Sequence, residues 1–148
     1  MRALKICEAD VVDIPAMTTL VAHLGYPNTE ETVRSRYDAI LASGGRVLVA
    51  QTNGTLLGLA ALDCTRHLHR PPDGRLTALV VAAEYRHAGI GKRLLEAAEV
   101  VFRVWGCARV ELSSAGGRAN AHRFYLREGY VETPKRFLKS LGDAIPGV

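Results

Sequence analysis

Cysteine is scarce in this 148-residue chain. Cys7, Cys64 and Cys107 are odd in number, far apart in sequence and free of C-x-x-C spacing, which excludes a disulfide framework and a sequence-encoded zinc site. Reduced thiols in a cytoplasm are the expectation. No window approaches the roughly 20 apolar residues of a membrane span, and Met1 to Lys5 leads into no apolar signal core. Aromatic residues make up only 6% of the chain, and no aromatic-and-basic platform or long lysine run accompanies its arginines, so a nucleic-acid surface is not expected. Internal repeats, low-complexity tracts and Ser/Gly linkers are missing as well, which leaves a single domain over residues 1–148.

The chain does hold 48% hydrophobic and 23% charged residues, enough for an ordinary core without disulfides or metal. Its net charge of +4 is uneven: residues 1–62 carry 5 Lys/Arg against 6 Asp/Glu, and residues 63–148 carry 14 against 9. A discrete anionic ligand explains that basic half more economically than a polyanion.

Periodicity predicts a mixed sheet flanked by helices. Ala3 to Glu8 alternates as a first strand, and Asp10 can cap a helix over Val11 to Leu24 with Val12, Leu20 and Leu24 near one face. Thr29 can cap a second helix with Val33, Tyr37, Ile40 and Leu41 as its apolar stripe, stopped at Gly44-Gly45. Arg46 to Thr52 and Thr55 to Asp63 flank Asn53-Gly54, the strongest short hairpin signal. Arg75 to Ala82 reads as a buried strand, Gly89 to Trp105 as an amphipathic helix and Arg109 to Ser113 as a short strand. Arg118 to Glu128 reads as a helix, followed by strands over Tyr130 to Thr133 and Lys135 to Leu141. The predicted order is βααβββαβαββ, an α/β chain of the α+β type with about seven strands and four helices.

Between the strand ending near Ala82 and the helix starting near Gly89 stands Arg86-His87-Ala88-Gly89-Ile90-Gly91-Lys92. The first amides of a helix lack internal partners and sit at its positive end, and glycines let an anion approach the backbone. Lys92 and Arg93 stand at the unfavourable end of that dipole, a local cost that a bound phosphate offsets. A Walker loop would need Gly at 86 and Ser or Thr at 93, where both residues are Arg. A dinucleotide fingerprint would need Gly at 94, which is Leu.

Arg86-His87-Ala88-Gly89-Ile90-Gly91 resembles the R/Q-x-x-G-x-G/A signature of the GNAT superfamily of acetyl-CoA-dependent N-acetyltransferases, with Leu79-Val80-Val81 as the preceding strand. Asn120-Ala121-His122-Arg123-Phe124-Tyr125, closed by Glu128-Gly129-Tyr130, is similar to that family's downstream N-x-x-x-x-F/Y-Y…G-F/Y segment. The two motifs at their mutual spacing are far more specific than either alone.

The resemblance implies a GNAT-like, mostly antiparallel sheet and an acetyl-CoA co-substrate, with no metal. The amides from His87 to Lys92 and the Arg86 side chain would hold pyrophosphate. Leu79, Val80 and Val81 would pair with pantetheine as an added strand, and Asn120 would touch the same arm. A backbone amide near Val81 would polarise the thioester carbonyl where this strand and the Arg109 strand part. Tyr125 would protonate the departing thiolate: a phenol of pKa about 10 is a weaker acid than a thiol near 8.5, so positioning matters.

The attacking amine must also lose a proton, and the base stays open among Asp63, His67, His69, Glu84, Glu111 and water. Many relatives carry Glu early in the coenzyme-binding strand, where this chain has Leu76-Thr77-Ala78. Cys64 and Cys107 have no activating motif, so direct attack in a ternary complex is expected rather than an acetyl-cysteine intermediate. The alternative is an acyl-CoA-binding sensory module without transfer. Arg66, His67, His69 and Arg70 favour an acceptor that bears a carboxylate or phosphate beside its amine. Similar proteins also commonly form homodimers.

Overall fold

The computed structural model describes residues 3–113, 119–133 and 136–142. They fall into two compact units, Met1–Ser113 and Ser114–Val148, each described by itself.

The first unit is built on a five-stranded sheet in spatial order β1-β2-β3-β4-β5: Lys5–Glu8, Arg46–Thr52, Thr55–Thr65, Asp73–Val81 and Arg109–Leu112. The first three junctions are antiparallel and the last, β4 with β5, is parallel. Asn53 and Gly54 both take positive φ, 51° and 76°, as the two-residue turn joining β2 and β3 requires.

Three helices cover the sheet: α1 (Ile14–His23), α2 (Glu30–Ala42) and α3 (Ile90–Val104). Asp10 caps as expected, but it caps a one-turn 3-10 segment, Val11–Asp13, that precedes α1. That change of pitch rotates the buried stripe onto Ile14, Met17 and Leu20 and leaves Val12 82% exposed, which corrects the expected Val12 face. Thr29 caps α2 through its hydroxyl, which accepts from the Thr32 amide at 3.1 Å. Tyr37 is buried in that helix and donates its hydroxyl proton to the Ala9 carbonyl at 3.0 Å; burial first, then the carboxylates of Asp10 and Asp13, push its pKa up.

Strand alternation sorts the core into two layers. On one face Val47, Val49, Leu59, Ala61 and Val80 pack with Ile14, Met17, Leu20 and Tyr37. On the other, Gly74 meets the ring of Phe102 from α3, where Leu94, Leu95 and Ala98 are also fully buried.

The second unit contains α4 (Ala119–Arg127), ended by Gly129 at φ 94°. The expected start of this helix at Arg118 lies outside the described residues, as does Lys135. The predicted seven strands and their order are not realised. Residues 130–133 and 136–142 form no strand, and Val131, Phe137, Leu138 and Leu141 are 84–93% exposed. Alternating hydrophobicity is only half of a strand; the other half is a neighbouring ladder to pair with.

Candidate active site

The geometry of β4 is set by two irregularities on its two edges. On the β3 edge the register steps from Ala61↔Ala78 to Leu62↔Leu76, so Thr77 is an extra residue bulged out of the ladder. Its hydroxyl donates to the Ala61 carbonyl at 3.3 Å. On the β5 edge pairing covers only Asp73↔Arg109 through Leu76↔Leu112. The described ladder with β5 therefore ends beside the bulge, and Thr77 to Val81 carry no rung toward β5.

Backbone direction follows from the next residue. Ala82 donates its amide to the Leu57 carbonyl at 2.8 Å, on the β3 side. Since successive residues of a strand point their N–H and C=O groups to opposite edges, Val81 and Leu79 present theirs to the edge that β5 leaves uncovered. That edge can accept an added strand-like arm, and the Val81 amide is a donor on it.

A one-turn 3-10 segment, Ala83–Tyr85, carries the chain from β4 into the glycine loop. His87 and Gly89 both adopt left-handed backbone, φ 68° and 79°, and Gly89 is the N-cap residue of α3. A left-handed histidine is strained by about 1–2 kcal/mol, which is typical of residues held for function. Arg93 donates its amide to the Gly89 carbonyl at 3.1 Å, so the amides of Ile90, Gly91 and Lys92 stand ahead of the intrahelical ladder. Arg86, His87, Ala88, Gly89 and Lys92 are exposed and Ile90 is buried. Exposed cations and helix-start amides ahead of the ladder form an anion cradle.

On the sheet face that also carries Ala61, the strands continue beyond the apolar core as two polar rows. Asp63, Arg75 and Glu111 occupy successive register positions across β3, β4 and β5, with Arg75 Nη1 3.1 Å from Glu111 Oε1. One row further lie Thr65, Asp73 and Arg109.

Asp73 is fully buried, with two arginines and a histidine around its carboxylate. Arg109 Nε donates to Oδ1 at 2.9 Å, Arg70 Nη1 to Oδ2 at 2.9 Å, and His67 Nε2 stands 3.3 Å from Oδ2. Burial pushes this carboxyl up, yet the hydrogen bonds from Arg109, Arg70 and His67 override it and hold Asp73 below the usual carboxylate range. Arg109 is correspondingly raised by its bond to Asp73. One anion thus organises an excess of positive charge. Sequence reasoning reached His67 and Arg70 but passed over Asp73, Arg75 and Arg109; Arg109-Val110-Glu111 already held the period-2 signal of charges sharing one strand face.

Three of the base candidates are engaged by neighbouring groups. The Asp63 carboxylate accepts from the Cys64 amide at 2.9 Å, His67 serves Asp73, and His69 stacks edge-on with His67 at 5.5 Å. Glu84 lies on the 3-10 turn before the glycine loop. Glu111 stands one rung before the ladder ends.

In the second unit, Tyr125 is half-buried between aromatic rings, 5.2 Å from Phe124 and 5.9 Å from Tyr130 by centroid. Its carbonyl accepts the Tyr130 amide at 2.9 Å, closing the helix end as the Glu128-Gly129-Tyr130 sequence suggests. Asn120 is exposed on the first turn of α4 and accepts a hydrogen bond from Arg123. Among the described residues no cluster of three metal-ligating side chains occurs, and no helix is long and apolar enough to cross a membrane.

An open-edged β4 running into a glycine-rich helix start defines a class of protein, and comparison with known families agrees: the chain belongs to the acetyltransferase (GNAT) family, which matches residues 13–130. It is 42% identical over 94 residues to an aminoalkylphosphonate N-acetyltransferase of Salmonella typhimurium, a match spanning 63% of this chain and 61% of that protein. Its fold is also that of an acetyltransferase from Trypanosoma brucei, with a TM-score of 0.79 at 24% identity over 94% of this chain and 100% of the other. Glucosamine-6-phosphate N-acetyltransferase from Arabidopsis thaliana gives 0.82 at 19% identity over 95% and 99%. An aminoglycoside N-acetyltransferase solved in complex with CoA gives 0.85 at 15% identity over 95% and 96%.

Proposed function

We infer that residues 1–148 form one N-acetyltransferase domain that moves the acetyl group of acetyl-CoA onto a primary amine by direct attack in a ternary complex. The observation that carries this reading is the edge of β4 at Leu79 and Val81 that bears no rung to β5 among the described residues, followed in the chain by the helix-start amides at Ile90 to Lys92. Arg86, His87, Ala88, Gly89, Ile90, Gly91 and Lys92 would hold the pyrophosphate; Leu79, Val80, Val81 and Asn120 would hold the pantetheine arm.

The amine nitrogen forms a bond to the thioester carbon while the Val81 amide meets the developing oxyanion, an interaction worth about 3–4 kcal/mol at other such sites. The C–S bond then breaks, and Tyr125, carried by the family's downstream motif, protonates the thiolate. A lysine-like ammonium of pKa about 10.4 is neutral only about once in 2,500 molecules at pH 7, so a proton acceptor is needed. Glu111 can take that role only through a chain of waters, because it is in register with Arg75, six residues before Val81 on β4.

The acceptor we favour is a short-chain amine carrying a phosphonate, the class named for the Salmonella relative. The two polar rows lie two residues apart, about 6.6 Å along the strands. The row that holds Arg109, with Arg70 beside it, supports an anionic acceptor.

Thermal unfolding with acetyl-CoA, CoA, NAD and ATP tests the coenzyme: ligand at 100 times its Kd adds about 2.7 kcal/mol, a rise of several degrees. A rise with the two coenzyme A forms alone, followed by thiol release with an aminoalkylphosphonate, supports transfer. A shift without thiol release from any amine would make the chain an acyl-CoA-binding module, and no shift would remove the coenzyme assignment. Arg86→Ala should weaken coenzyme binding; an unchanged Kd would remove Arg86 from the site.

A further inference from the structure

The three cysteines were expected to be isolated thiols, and folding brings two of them together. Cys64 lies at the end of β3, and Cys107 lies between Gly106, the left-handed residue closing α3, and β5. They are 43 positions apart, yet their sulfurs are 3.9 Å from each other. The residue of β4 opposite Cys64 is Gly74, which places no side chain between β3 and the α3–β5 connection. Both thiols are free and half-buried, within reach of a small solute. Cys7, on β1, instead accepts a hydrogen bond from Gln51 Nε2 at 3.2 Å.

We propose that Cys64 and Cys107 are a modification site: they form a reversible intramolecular disulfide by exchange with a low-molecular-weight disulfide such as oxidised glutathione. The Cys64 thiolate attacks one glutathione sulfur, the S–S bond of glutathione breaks, and one glutathione thiolate leaves. Cys107 then gives its proton to solvent and attacks the Cys64 sulfur, expelling the second glutathione. Two protein thiols are oxidised and one external disulfide is reduced to two thiols, so no other oxidant is needed.

Closing the pair requires the sulfurs to approach by about 2 Å, to the bond length near 2.05 Å. Burial, then the neighbouring Cys64 thiol, push Cys107 up to about 11, which makes it the slower of the two to attack an external disulfide. Conversion of Cys64 to a mixed disulfide removes its own share of that push. The bond would brace the two connections that deliver His67 and Arg109 to Asp73, and neither sulfur takes part in the transfer chemistry proposed above.

The test exposes the native full chain to oxidised glutathione, quenches with acid, and reads intact mass, a peptide map and thermal unfolding. Expected are a loss of two hydrogens, a linked Cys64–Cys107 peptide, a still-alkylatable Cys7, and a rise in Tm that dithiothreitol reverses. Cys107→Ser should stop at a stable glutathione adduct on Cys64. A wild-type protein that accumulates that adduct without closing, pairs through Cys7, or forms the link only in denaturant would overturn the proposal. The wild-type arm decides the matter even if the variant fails to fold, and it is read without any acetyltransferase assay.

Discussion

Arg75 and Glu111 face each other across the parallel pair of β4 and β5, Nη1 to Oε1 at 3.1 Å, one rung before the ladder ends. That ion pair holds the Glu111 side chain, half of it exposed, against Arg75. The Glu111→Gln variant keeps the shape and removes the proposed proton acceptor. Its kcat should fall by about 10²–10⁴-fold with the coenzyme Kd unchanged. Steady-state thiol release beside a coenzyme titration checks this, and an unchanged kcat would leave water as the acceptor.

Gly89 tests the loop on its own terms. At φ 79°, and with nothing within 4 Å of where a Cβ would stand, its replacement meets no steric clash, only backbone strain. Gly89→Ala should therefore cost about 1–2 kcal/mol and lower Tm by a few degrees. Coenzyme affinity should fall beside it, because the strained backbone turns the cradle amides; calorimetric titration reads that part separately.

Asp73 predicts an acid limb. Its pKa is depressed in the folded chain, so its contribution to stability is fully present above the unfolded value of about 3.9 and is lost as pH falls from there through the folded value. Asp73→Asn should destabilise by about 1–3 kcal/mol at neutral pH. The difference in Tm between wild type and variant should shrink as pH drops below about 4; a difference independent of pH would contradict the role given to Arg109 and Arg70.

Gly74 is pressed against Phe102: a Cβ there would meet two ring carbons at 2.4 Å. Gly74→Ala should cost about 1–3 kcal/mol through overpacking, read as a lower urea midpoint. Pairing it with Phe102→Leu should recover part of the loss, since the double variant removes the clash; simple addition of the two penalties would count against contact as the cause.

Local signals account for much of this molecule. Asn53-Gly54 specified its hairpin, Thr29 its helix cap, and the Arg86 to Lys92 run its strand-to-helix turn, because turn chemistry, capping and helix-start amides act within a few residues of the chain. The same signals failed at Val12, where a 3-10 turn shifted the helical phase, and in residues 130–141, where alternation suggested strands but no ladder formed among the described residues.

Long-range register decided the rest. Where the ladder of β4 with β5 ends, which edge receives the Val81 amide, how Asp73 gathers Arg70, His67 and Arg109, and why Cys64 meets Cys107 all depend on pairings between positions tens of residues apart. By itself the sequence specified an α/β acetyltransferase-like chain with a glycine-rich helix start, since those features are encoded by neighbouring residues. The acceptor rows and the thiol pair came only from tertiary structure, because a strand's partner and its register are chosen by the packing of whole faces rather than by the strand's own residues.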